Sequence, residues 1–132
     1  MVKSRCSLAL IAALCGCAAP SIRYSGAITT GDDPRALETP TRRVALKDQV
    51  VVVTQIAWPE HEEKRGLHAV RWNWYEGETR IAERAKTLDF GKTPARFSRS
   101  LAASDLGIGH YRVEVLVDGT RVDEQTFDVV AY

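Results

Sequence analysis

Three histidines, a few serines and three adjacent carboxylate pairs are the residues of this chain whose types could do chemistry. His61 stands in the run Pro59-Glu60-His61-Glu62-Glu63-Lys64-Arg65-Gly66, where Glu60, Glu62 and Glu63 could share a metal with it. A zinc-dependent hydrolase would need two such rings on one helix face with a Glu beside the first, and no second His is near in sequence. The run therefore reads as a solvated, charged loop. His68 and His110 each open a stretch of alternating apolar residues, a common place for a histidine at a strand end. Ser98, Ser100 and Ser104 lie near Arg96 and Arg99, without the Gly-x-Ser-x-Gly elbow of a hydrolase. Asp32-Asp33, Glu62-Glu63 and Asp123-Glu124 are adjacent acids. Neighbours on a strand point to opposite faces, so they do not make the facing carboxylates of a glycosidase. Gly107-Ile108-Gly109 precedes a strand and not a helix, which excludes a phosphate cradle. The expectation is a chain with no catalytic residue, no metal and no cofactor.

Aromatic side chains offer a different chemistry. Trp58, Trp72, Trp74 and Tyr75 fall within eighteen residues. Trp72 and Trp74 share one face of a strand and are expected inside. Tyr75 takes the opposite face, and Trp58 sits where a strand meets the charged loop, so it is expected partly exposed. Beside Arg71, Asn73 and Glu76 these rings could take sugar rings or a partner protein. The candidate binding set is Trp58, Glu60, His61, Glu62, Glu63 and Tyr75. A contiguous polar and aromatic groove would favour a glycan or peptidoglycan ligand. A flat apolar patch or a long uncovered edge strand would favour a protein partner.

The elements that must position these residues are strands throughout. Residues 48–58 place Val50, Val52, Thr54, Ile56 and Trp58 on one face and Val51 and Val53 on the other, the pattern of a central strand. Residues 67–76 alternate through Val70, Trp72 and Trp74, and Glu76-Gly77 makes a turn. Residues 79–90 carry Ile81, Leu88 and Phe90 with a slip in phase that predicts a bulge. Residues 94–101 offer Phe97 and Leu101. Tyr111, Val113, Val115 and Val117 alternate with polar residues, and Asp118-Gly119 favours a type I′ hairpin turn into residues 121–132. Leu101 to Leu106 can form one helical turn.

About six strands at roughly 8–12-residue spacing predict an all-β, small antiparallel sandwich over residues 44–132. Gly109-His110-Tyr111-Arg112-Val113 resembles the tyrosine corner of immunoglobulin-like and fibronectin type III-like sandwiches, with Val113 where antibody domains place a Cys. Trp72 or Trp74 stands on the strand where those domains bury a Trp. The resemblance implies that the Tyr111 hydroxyl bonds to backbone around residues 104–107. The missing cysteine pair sets the chain apart from antibody-type domains. A transthyretin-like sandwich or a small closed barrel remains open at this point.

The N-terminus speaks to location. Lys3 and Arg5 precede a twelve-residue apolar stretch, Leu8 to Ala19, too short to span a bilayer, which takes about 20 residues. It ends in Leu14-Cys15-Gly16-Cys17, which resembles the lipobox of bacterial lipoproteins. The resemblance implies a signal peptide of residues 1–16, cleavage before Cys17, and acyl chains such as palmitate on its thiol and new amino group. Each buried CH₂ of such chains contributes roughly 0.8 kcal/mol, so several chains hold firmly. Ala18 after the Cys implies sorting to the outer membrane, facing the periplasm, in a host with two membranes.

Cleavage there removes Lys3, Arg5 and no acid, leaving 116 residues with 16 basic and 17 acidic, a formal −1 against +1 for the whole chain. Such balance gives no reason to expect nucleic-acid binding. It also removes Cys6 and Cys15, so acylation of Cys17 leaves neither a free thiol nor a disulfide, as suits an oxidising compartment. Residues 17–43, with Pro20, Pro34 and Pro40, read as the acylated Cys and a flexible tether in which residues 22–30 could dock as an edge strand. The expected whole is a lipid-anchored cell-envelope protein, membrane-bound through Cys17 and meeting an envelope protein partner as a non-catalytic assembly module. The alternative is a glycan or peptidoglycan binding module.

Overall fold

The computed structural model describes residues 21–30, 37 and 40–132, so Cys17 and its surroundings lie outside the described residues. In chain order the strands are β1 (Arg23–Thr29), β2 (Arg43–Ala45), β3 (Gln49–Ala57), β4 (Gly66–Glu76), β5 (Thr79–Phe90), β6 (Ala95–Ala102), β7 (Gly109–Val117) and β8 (Thr120–Val130). A 3₁₀ turn, Glu60–Glu62, lies between β3 and β4, and a single helical turn, α1 (Ala103–Leu106), between β6 and β7. One sheet has the order β1-β3-β6 and the other β2-β8-β7-β4-β5. All pairs are antiparallel except β2 with β8, which is parallel.

The alternation of apolar side chains fixes which faces meet. Val50, Val52 and Ile56 of β3 pack against Val70, Trp72 and Trp74 of β4 and Tyr111, Val113 and Val115 of β7 in one core. Trp74 is fully buried, and its truncation to Ala would cost about 3–5 kcal/mol. The doubly apolar β3 is central in its sheet, as its sequence predicts. Val51 and Val53 on its other face form a second, smaller cluster with Leu37 against it.

Turns behave as their residues dictate. Asp118 and Gly119 both have positive φ, 52° and 85°, which a type I′ turn requires. The bulge expected in β5 is at its start: Trp74 faces Ala82 and Tyr75 faces Arg80, so Ile81 is the extra residue.

The stretch 22–30, which could dock as an edge strand within the tether, holds β1, which pairs with β3 at the edge of its sheet from Arg23 opposite Ala57 to Thr29 opposite Val51. Its Ala27, Ile28 and Thr29 are buried, so docking onto β3 outweighs the poor strand propensity of Gly26. A further strand, β2, has three residues beside β8, too short to leave a period in the sequence.

Candidate functional site

The charged loop is built around a buried tryptophan. Trp58 is 7% exposed, not the partly open ring expected from its place beside charge. Its indole Nε1 donates to Glu63 Oε1 at 3.1 Å, its backbone N–H to Thr93 Oγ1 at 2.9 Å, and its ring stacks on Phe90. Glu63 also accepts from the backbone N–H of Arg65 at 2.9 Å and from its guanidinium at 2.9 Å. The Arg65 side chain foremost, then its backbone N–H, hold the Glu63 carboxyl below the usual carboxylate range. Glu63 is thus a strut for the loop. Glu60 is exposed in the 3₁₀ turn, and His61 meets Glu62 at 3.5 Å.

Tyr75 lies on the solvent face of the larger sheet with the Arg112 guanidinium 4.1 Å from its ring centre. Arg112 donates to Glu114 and Glu124, each at 2.9 Å, and Arg121 reaches the same two carboxylates at 3.4 and 3.5 Å. This half of the face satisfies its own charge. With Trp58 buried and Tyr75 under an arginine, these two residues do not supply the contiguous aromatic groove that a sugar ring would use.

The histidines go to separate places. His68 stacks on Phe90 at 4.4 Å, with Nδ1 2.6 Å from Asp118 Oδ2 and Nε2 2.6 Å from the Lys64 carbonyl. Its ring has an acceptor at each nitrogen, so only the doubly protonated form donates at both. His110 is exposed and pairs with Asp128. Among the described residues no three His, Cys, Asp or Glu side chains gather to hold a metal.

The feature that sequence reasoning missed is the flank closed by β5 and β6, each the last strand of its sheet. Phe90 and Phe97 stack across it at 5.6 Å and Phe97 meets Trp72 edge-on at 6.2 Å. Further along, Arg84 and Lys86 lie opposite buried Trp72 and Val70, and so stand on the core-facing side of this edge, Arg84 half-buried and Lys86 exposed. Arg99 lies opposite buried Val52 on β6, with its guanidinium 5.8 Å from the Trp72 ring centre. Inward charges on an edge strand are a device against indiscriminate pairing, and their stems cover apolar surface. On the outward side β5 offers small residues, Ala85 and Thr87. With Lys86 between them, and with Ala69, Val70, Arg71, Leu116 and Gly119, they line a shallow groove of about 410 Å³. The signal in the sequence was the pair Arg84 and Lys86 two residues apart in a strand, legible only once the register is known.

No family model matches the chain, and no curated protein matches it. Solved structures do. An immunoglobulin-like protein from Pseudomonas aeruginosa is 12% identical with a TM-score of 0.51, over 84% of this chain and 98% of that one. A β-glucosidase from Listeria innocua in complex with glucose is 12% identical with a TM-score of 0.54, over 85% of this chain but 16% of the enzyme. An alkylpurine DNA glycosylase from Pseudomonas fluorescens bound to DNA is 14% identical with a TM-score of 0.51, over 83% of this chain and 30% of the glycosylase. At these identities the likeness concerns the fold alone. The described strands, β1 to β8, fold as an immunoglobulin-like, all-β sandwich.

Proposed function

We propose that the chain is a lipid-anchored cell-envelope protein that works as a non-catalytic interaction module, docking a partner protein along the open edge of β5. Acyl chains on Cys17 hold it to the membrane, the outer one facing the periplasm where the host has two. The lipobox-like Leu14-Cys15-Gly16-Cys17 supports the anchor. The observation that carries the docking is β5 itself, 12 residues long and last in its sheet. One side of it presents N–H and C=O groups to no neighbouring strand among the described residues, and an added strand gains main-chain hydrogen bonds worth about 0.5–1.5 kcal/mol each. Such bonds set affinity, while the side chains flanking them set the choice of partner.

Anchor and docking are tested separately. Cys17→Ser removes the acylation site and should move the protein from the detergent phase to the aqueous phase. A Ser variant that partitions like the parent overturns the anchor. For the docking, deuterium exchange is compared between the acylated chain in its own membranes and the same chain purified in detergent. Exchange slowed within β5 in the membranes supports the reading, and β5 exchange equal in both overturns it.

A further inference from the structure

We infer that the β5 edge selects an acidic partner: an extended segment with carboxylates at alternate positions and apolar side chains between them. The inference rests on the edge-docking reading and names the occupant. A strand added to β5 sends alternate side chains to its two faces. On the inner face it meets Arg84 and Lys86, with Arg99 across the gap on β6. Arg84 and Arg99 flank the same tryptophan, since Trp72 is the cross-strand neighbour of one and lies under the guanidinium of the other.

No carboxylate of the described residues ion-pairs with these three cations. Arg84 donates to the Glu83 carbonyl at 2.9 Å, and Arg99 meets the Trp72 ring. The acids of β5 are on its other face. Glu83 bridges Arg71 at 3.1 Å and Arg80 at 4.0 Å, and Asp89 lies opposite exposed Leu67. The inner row is therefore positive, and carboxylates facing it would pair at the rim of a low-dielectric core, where charge attraction is less screened than in open water. On the outer face the added strand lies beside Ala85 and Thr87 and the groove that they help to line, which suits apolar side chains of moderate size.

The same charges argue against a second copy of this chain as the occupant. Antiparallel self-pairing of β5 about Ala85 sets Arg84 and Lys86 of the two copies against each other, and like charges directly opposed are destabilising. Unlike charges on the incoming strand remove that penalty and favour entry of one class of segment.

The test uses the full chain and three short synthetic peptides alternating Val with Glu, with Lys or with Ser. Amide exchange of β5 and tryptophan fluorescence are the readouts. The Glu peptide should slow β5 exchange and shift the emission, binding about tenfold more tightly than the Lys peptide and losing affinity as salt screens the charges. The double variant R84E/K86E should reverse the preference, and Lys86→Gln, at an exposed position, should weaken it while leaving the fold intact. Equal protection of β5 by all three peptides overturns the acidic selection and leaves edge docking standing. Protection of β5 by none of them overturns both. Concentration-dependent self-association through β5 also overturns the choice of occupant.

Discussion

The carboxylate of Asp123 lies directly over Gly26. A Cβ built on that glycine would come 1.8 Å from Oδ2 and 2.6 Å from the carboxyl carbon. Asp123 is on the inner face of β8, opposite Val115, so its charge points toward the smaller sheet, and only a residue without a side chain lets β1 pass there. Gly26→Ala should cost about 1–3 kcal/mol, the usual range for overpacking, with most of the loss relieved by Asp123→Ala. A thermal-denaturation double-mutant cycle reads the coupling, and additive losses would contradict the contact.

Burial raises the Asp123 carboxyl above its ordinary range, against hydrogen bonds from Gln125 and the Glu124 backbone. A raised carboxyl binds its proton more tightly folded than unfolded, so its contribution is greatest in acid. It is lost as pH climbs from the unfolded value through the folded one. Asp123→Asn should therefore gain stability relative to the parent at neutral pH and lose that advantage near the unfolded carboxylate range, about pH 4. Chemical denaturation across this window would show it.

Tyr111 holds the corner between α1 and β7. Its hydroxyl lies 2.6 Å from the Leu106 carbonyl and 2.9 Å from that of Gly107, the place that the tyrosine-corner resemblance implies. Tyr111→Phe should cost about 0.5–1.5 kcal/mol at neutral pH. Burial, then the charge of Glu76, raises the phenol above its ordinary range. The folded state thus disfavours the phenolate, and stability should fall as pH rises past the free phenol near 10, less so in the Phe variant.

Asp118 ties two loops together. It accepts from His68 at 2.6 Å and from the Ala69 N–H at 2.9 Å, while His68 also reaches the Lys64 carbonyl. The His68 side chain first, then the Ala69 N–H, lower the Asp118 carboxyl. A lowered carboxyl contributes stability above its unfolded value and loses it as pH falls through the folded one. Asp118→Asn keeps a residue suited to the positive φ of the turn and removes the charge. It should lower the melting temperature at neutral pH and flatten its decline in acid. A parallel decline in parent and variant would count against the latch.

Charge reversal within the loop should separate its residues. Glu63→Lys withdraws the acceptor from Trp58 and Arg65, so it should lower the melting temperature and red-shift tryptophan emission. Glu60→Lys at an exposed position, and Glu62→Lys at a side chain 42% exposed that meets His61, should change stability by less than about 0.5 kcal/mol. Equal effects at all three positions would mean that Glu63 is not a strut.

Local rules made most of the sandwich legible. Alternation alone marks β7 through Tyr111, Val113 and Val115, and two adjacent residues specify the Asp118-Gly119 turn. What escaped depends on contacts distant in sequence. The sequence leaves β1 open between tether and edge strand because its worth as a strand comes from β3, and β2 leaves no pattern because it has three residues. Trp58 reads as partly exposed because the charge beside it suggests water, yet one of those charges, Glu63, folds back to bond the indole. The cationic flank needs the register of Arg84 against Trp72 and of Arg99 against Val52, and no local pattern carries either.

The most direct measurement places a photo-cross-linking residue at Ala85 on β5 and, as a control, at Ser98 on β6, in cells that produce the chain with its own N-terminus. The expected result is a discrete protein adduct from position 85, absent from position 98 and lost when Cys17→Ser releases the chain from the membrane. Adducts of equal yield from both positions, or an adduct at position 85 that survives loss of the anchor undiminished, would contradict a membrane-held module that docks through β5.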